Sequence, residues 1–207
     1  MGLVEFLIEA DHAIFRAINS LAAKSPVLDF VLRVGADDHI IPALLTITII
    51  CLVLSARNHK EREIAFDCLI FALAAVIIST ILMSFLNASF FRPRPFTSLG
   101  AETIFYHNTD SSYPSNAATL VFALSFSTIF HKRKLGLAMV FASLYLGFCR
   151  VAVGVHYPLD ILSGALLALA CAFLCRLISP LLRHVSSLLL SAWYRLLLAP
   201  KENNGGG

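Results

Sequence analysis

The sequence predicts an all-α, polytopic membrane bundle of five to six transmembrane helices, and three observations carry that prediction. Hydrophobic residues make up 58% of the 207-residue chain and charged residues 14%, against roughly 45–50% and about 25% in average soluble domains. A soluble fold of this size cannot hide that much apolar surface, so the main solvent is lipid, in keeping with a mean hydropathy of +0.79. Five segments approach the roughly 20 apolar residues that cross a bilayer. Finally, basic residues alternate between successive connections, as the positive-inside rule requires. A net charge of +3 is modest and is spent on that orientation, which argues against nucleic acid as a partner.

Along the chain, residues 3–22 place Leu3, Val4, Leu7, Ile8, Ile14, Phe15, Ile18 and Leu21 at helical spacing, with Glu5, Glu9, Asp11, His12, Arg16 and Asn19 on the other face. That is the pattern of a helix lying in the membrane interface. It lacks a basic start and a small-residue cleavage site, so no cleaved signal peptide is expected. The spans are 40–54 (extendable to 56), 64–86, 117–130, 135–148 continuing towards 153, and 159–177. The third is short and must borrow flanking residues. Residues 180–198 read as a second interfacial or packing helix, and the terminal NNGGG as a flexible end. The five cysteines lie in or beside apolar runs without metal-ligand spacing and read as small core residues.

Ten basic residues fall on one side of this topology: Arg57, Lys60, Arg62, Lys132, Arg133, Lys134, Arg176, Arg183, Arg195 and Lys201. That side is the cytoplasmic one. Loops 35–39, 87–114 and 150–156 fall on the other, and Arg92, Arg94 and Arg150 there break the rule. Arg92 and Arg94 each precede a proline, which pushes the residue before it out of the helical region and stiffens the exit. A guanidinium binds phosphate oxygens through paired hydrogen bonds, although interfacial snorkelling also explains basic residues here. Pro158 suits a first helical turn, which sets His156 and Asp160 on one helix face. A carboxylate beside an imidazole can make it a nucleophile or base, and a lone pair of this kind is also a common structural device. Arg150, six residues earlier and facing the same side as Arg92 and Arg94, favours the functional reading. Ser115 or Asn116 reads as an N-cap for the third span, and free amides at a helix start also attract anions. Together the three patches describe a cationic site for a phosphate ester at the bilayer surface, working without a metal.

These residues resemble the type-2 phosphatidic acid phosphatase superfamily, PAP2. Its motifs, Lys-x6-Arg-Pro, Pro-Ser-Gly-His and Ser-Arg-x5-His-x3-Asp, align with Asn87 to Arg94-Pro95, with Pro114-Ser115-Asn116-Ala117, and with Cys149-Arg150 to His156 and Asp160. The match covers about residues 40–178, in the same order and topology. The resemblance implies a PAP2/haloperoxidase-like core and a set of roles. His156 attacks phosphorus and forms a phosphohistidine, and Asp160 orients it. Arg94 and Arg150 clamp the phosphoryl oxygens, assisted by Arg92, and Ser115 supplies a hydrogen bond. No cofactor or metal is implied.

Three positions depart from the pattern. Asn87 replaces a lysine, with Arg92 able to offset the lost charge, and Cys149 replaces a serine. Ala117 stands where the histidine that protonates the leaving group is expected, and losing a general acid costs about 10²–10⁴-fold. Either the chain is naturally impaired or the alanine was introduced to stop turnover, the second being favoured because the rest of the site is intact. His107, in the same outer loop, is a candidate substitute acid.

The short chain, the RPRPF exit and the Pro-Ser-Asn variant look most like bacterial undecaprenyl-diphosphate phosphatases of the bacitracin-resistance type. The resemblance therefore implies a lipid phosphatase of the bacterial inner membrane, with its site facing the periplasm, inactivated here by Ala117. Its partners would be a lipid phosphate or diphosphate and the surrounding membrane lipids, and the sequence carries no signal for an oligomeric state. Phosphatidylglycerophosphate or phosphatidic acid phosphatases share the chemistry, and a non-catalytic lipid phosphate-binding protein is the reading from another class. The expected organisation is interfacial helices over 1–36, the PAP2-like membrane domain over 37–178, and an interfacial helix with a flexible tail over 179–207.

Overall fold

The computed structural model describes residues 2–101, 103–105 and 110–198. All regular structure among them is helical: α1 (Leu3–Asn19), α2 (Pro26–Ala36), α3 (Ile40–Leu54), α4 (His59–Ser89), α5 (Pro95–Ser98), α6 (Asn116–Ile129), α7 (Arg133–Ala152), α8 (Pro158–Leu177) and α9 (Ser179–Leu198). The five expected spans correspond to α3, α4, α6, α7 and α8. By length and composition, α4, α7 and α8 can each cross a membrane alone, while α2 and α3 qualify together across a 52° bend. The chain is an integral membrane protein. His107 and the NNGGG end lie outside the described residues.

Helix α6 is apolar but has only 14 residues, and its position explains how so short a helix is held. It packs against α3, α4, α7 and α8 and buries Ala117, Ala118, Thr119, Val121, Phe122, Ala123, Leu124, Ser125, Ser127 and Thr128. Its environment is therefore protein more than lipid. Small residues allow the close approach that drives helix association in membranes, and the Ser125 and Ser143 hydroxyls, 2.9 Å apart, tie α6 to α7. Gly164 brings α8 equally close: a Cβ there would meet the Thr119 hydroxyl at 2.7 Å and the Ser115 carbonyl at 3.1 Å. On α4, Leu73, Ile77, Ile81 and Phe85 point outward, as lipid-facing side chains do.

The two flanking helices pack on this core. In α1 the buried stripe is Asp11, Phe15 and Asn19, while Val4, Leu7, Ile8 and Ile14 stay exposed. Part of the polar face thus turns inward, because it has partners there: Asn19 donates to the Ala152 carbonyl at 2.9 Å, and Asp11 reaches the site described below. Helix α9 lies along α4, burying Leu182, Ser186 and Leu190, with Trp193 edge-on to Phe66 at 5.9 Å. Cys68, Cys149, Cys171 and Cys175 are buried as expected, whereas Cys51 is exposed. It lies on the outward side of α3, so the core reading fails for that cysteine.

Candidate active site

The ends of α4 and α7 and the starts of α6 and α8 meet at one end of the bundle, and His156 sits where they converge. Helix α7 stops at Ala152, and Gly154 takes φ +87°, a conformation in which glycine escapes the Cβ clash. The turn folds the chain back over its own helix, with the Val155 amide donating to the Arg150 carbonyl at 3.2 Å. Pro158 then opens α8, with Tyr157 as its N-cap.

His156 is 1% exposed. Its Nδ1 lies 2.9 Å from the Ser112 carbonyl oxygen, while Nε2 faces Arg150 Nη2 at 3.1 Å and Arg94 Nη1 at 3.3 Å. A carbonyl only accepts and a guanidinium only donates. The proton therefore sits on Nδ1, and the Nε2 lone pair points between two arginines. Burial, and then the Arg150 charge, push the His156 pKa down to about 4, so the imidazole is neutral at ordinary pH. Asp160 Oδ2 is 3.7 Å from Nδ1, near enough to act as a charge but too far for a hydrogen bond. The orienting hydrogen bond comes from Ser112.

Asp160, wholly buried, is engaged elsewhere. Its Oδ2 accepts from the Tyr157 amide at 2.9 Å, capping α8, and its Oδ1 accepts from Arg92 Nη1 at 2.7 Å. The other Arg92 nitrogen, Nη2, donates to Asp11 Oδ2 at 2.5 Å, and the guanidinium lies 3.8 Å over the Tyr157 ring. Burial works against the Arg92 charge, but Asp160 and Asp11 outweigh it and raise its pKa.

The remaining arginines are also paired. Arg94 donates to Asp110 Oδ1 at 2.6 Å from Nη2 and to the Val155 carbonyl at 3.1 Å from Nη1. Arg150 donates to the Ala36 carbonyl at 2.9 Å and to the Asp38 carboxylate. The α2–α3 bend makes this possible. Asp37 caps α3 by accepting from the Ile40 amide at 3.0 Å, leaving Asp38 and the Ala36 carbonyl to face Arg150. The expected net cationic surroundings are thus corrected: three arginines meet four carboxylates. Guanidiniums in a low-dielectric setting are too costly to hold unpaired.

At the start of α6, the Ser115 hydroxyl accepts from the Ala118 amide at 3.5 Å, a long cap, and the Ser115 amide donates to the Asp160 carbonyl at 3.1 Å. Asn87 Nδ2 donates to Asn116 Oδ1 at 2.8 Å, closing the α4–α6 mouth. Ala117 is buried, 6% exposed, in the first turn of α6. The structure thus gathers His156, Asp160, Arg92, Arg94 and Arg150 at one end of the bundle, with His156 bonded to Arg94 and Arg150 and Asp160 bonded to Arg92. The two sets are joined through the Ser112 backbone, whose amide donates to the Arg92 carbonyl at 2.9 Å. Ser115 is bonded to the edge, and Asn87 and Asn116 are paired with each other. Sequence reasoning missed Asp11, Asp38, Asp110 and Ser112. The only signal for the aspartates was acidic residues on the side that carries the unexplained arginines, and a backbone carbonyl leaves none.

Comparison with known proteins agrees with this architecture. Bacillus subtilis (strain 168) undecaprenyl-diphosphatase BcrC is 31% identical over 84% of this chain and 86% of its own. The crystal structure of Aquifex aeolicus LpxE, 23% identical, superposes with a TM-score of 0.60 over 78% of this chain and 92% of that one. A Bacillus subtilis transmembrane PAP2-type phosphatidylglycerolphosphate phosphatase, 19% identical, gives 0.58 over 84% and 86%. The PAP2 superfamily profile matches residues 68–183, from the third turn of α4 to the start of α9, and with it the conclusion follows: this chain is a member of the PAP2 superfamily.

Proposed function

We propose that the chain is a lipid diphosphatase that converts undecaprenyl diphosphate to undecaprenyl phosphate through a phosphohistidine on His156. The carrying observation is the Nε2 lone pair aimed between Arg94 and Arg150 while Ser112 holds the Nδ1 proton. In the first step the Nε2–P bond forms as the bridging P–O bond breaks, and the electron pair leaves with the lipid phosphate. The two guanidiniums stabilise charge on the transferring oxygens, and Asp160 stabilises the positive imidazole. Water then attacks phosphorus, the Nε2–P bond breaks with its electron pair returning to Nε2, and dihydrogen phosphate departs carrying both protons of the water. Arg92 serves as the strut that holds Asp160 and Asp11 rather than as a direct phosphate ligand, and Ser115 fixes the α6 start.

The relative BcrC, named for this reaction, supports the choice of lipid, and the basic connections support an inner-membrane orientation with the site towards the periplasm. Residues 37–178 form the catalytic unit in this reading, and Asp11 from the preceding segment completes it. Ala117 removes a proton donor, which slows any substrate whose leaving group must be protonated as its bond breaks. The same alanine favours one other reading, a lipid phosphate-binding protein without turnover.

The test is phosphate release from undecaprenyl diphosphate by the purified chain in EDTA, with His156→Ala alongside. EDTA-resistant release that disappears in the variant supports the proposal. Binding without release supports the binder.

A further inference from the structure

We infer that this site acts on phosphoric anhydrides and spares phosphate monoesters, because among the described residues the groups around His156 Nε2 provide attack and charge stabilisation but no proton for the leaving group. This rests on the proposed phosphohistidine chemistry and narrows its substrate class.

Every hydrogen-bond contact to Nε2 among the described residues comes from a guanidinium, Arg94 at 3.3 Å and Arg150 at 3.1 Å. A guanidinium does not release its proton in a protein. The imidazole's own proton is on Nδ1, held by the Ser112 carbonyl on the far side of the ring. The carboxylates at the outer edge, Asp38 and Asp110, accept from Arg150 and Arg94. In the first turn of α6, where the chain runs beside Ser112 and Asp160, position 117 carries only a methyl group.

The two candidate bond cleavages differ greatly under those conditions. Attack on a terminal anhydride phosphorus expels a phosphate monoester, whose second pKa is about 6, and it can leave unprotonated. Attack on a monoester expels an alkoxide, whose conjugate acid is about as weak as water and far weaker than a phosphate monoester. In both cases Nε2–P forms, P–O breaks and the electron pair goes to the leaving oxygen. Only the second needs a proton delivered as the bond breaks. General acid catalysis is worth about 10²–10⁴-fold where a proton must move, so the cost of Ala117 falls on esters and largely misses anhydrides.

Two lipids that share one tail isolate the difference: undecaprenyl diphosphate and undecaprenyl phosphate, presented to the unaltered chain in the same micelles. The expected result is release from the diphosphate at least about 10³-fold faster than from the monoester. A series of aryl phosphates should show rates that fall steeply as the leaving phenol becomes less acidic. Ala117→His should raise monoester turnover by about 10²–10⁴-fold, raise anhydride turnover far less, and flatten the aryl series. Comparable rates on both lipids, or a flat aryl series in the unaltered chain, overturn the inference while leaving the phosphatase reading intact. No release from either lipid overturns the phosphatase reading itself. The rates of the unaltered chain decide between these outcomes even if histidine does not fit the buried position.

Discussion

Asp11, on the first helix, grips Arg92 at 2.5 Å with its side chain wholly excluded from solvent. Its second oxygen accepts from the Leu159 amide at 2.9 Å, one of the free donors at the start of α8. One carboxylate thus ties the N-terminal helix both to the α4 exit and to the turn that follows His156. Breaking a buried pair costs about 3–5 kcal/mol. Arg92 is 23% exposed, so solvent screening brings the expected loss for Asp11→Ala down to about 2–3 kcal/mol. The variant should melt earlier in detergent and lose kcat more than KM worsens. Asp11→Asn keeps an acceptor for Leu159 and should recover part of the stability.

His156 is held neutral by burial and by Arg150, with its pKa down at about 4 against about 6.5 in an unfolded chain. The unfolded state binds a proton below about 6.5 while the folded state refuses it until about 4. The stability contributed by the neutral imidazole is therefore complete above pH 6.5 and is lost as pH falls towards 4. In the proposed chemistry nucleophilic activity follows the same group: kcat/KM should stay level from pH 8 to about 5 and fall only near 4. An acid limb centred at 6.5 would contradict the buried geometry, and histidine ring NMR gives an independent titration.

Asp38 occupies an edge of Arg150 that a phosphoryl oxygen would use, and its side chain is 36% exposed. An accessible ion pair is worth about 0.5–1 kcal/mol, so Asp38→Asn should tighten competitive inhibition by inorganic phosphate about two- to fivefold. Arg150 keeps the Ala36 carbonyl, which should leave the fold intact. Unchanged or weaker inhibition would mean that the carboxylate does not compete with phosphate.

Gly164 has no chemical role, yet it sets the distance between α8 and the start of α6. An alanine methyl would meet the Thr119 hydroxyl at 2.7 Å and the Ser115 carbonyl at 3.1 Å. Overpacking of this kind costs about 1–3 kcal/mol. Gly164→Ala should lower the melting temperature and reduce kcat/KM, since Ser115 and Asp160 are bonded across that contact. A variant with normal stability and activity would show that α6 and α8 can separate freely.

Sequence determined what lipid and local geometry dictate. Uninterrupted apolar runs have nowhere to go but a bilayer, so the helical bundle and its apolar helices α3, α4, α6, α7 and α8 were legible, while the shortness of α6 and its enclosure by its neighbours were not. Proline after each exit arginine, and the His156–Asp160 spacing across Pro158, were legible because they act within a few residues. Tertiary structure decided which partners those groups take. Asp11 and Arg92 are 81 positions apart and Asp38 and Arg150 are 112 apart, separations over which no periodicity carries information. Ser112 orients the histidine through its backbone, which every residue possesses and no side-chain pattern marks. The inward turn of Asp11 and Asn19 in α1 follows the same logic: amphipathic spacing defines two faces, and only the neighbours present in space decide which face is buried.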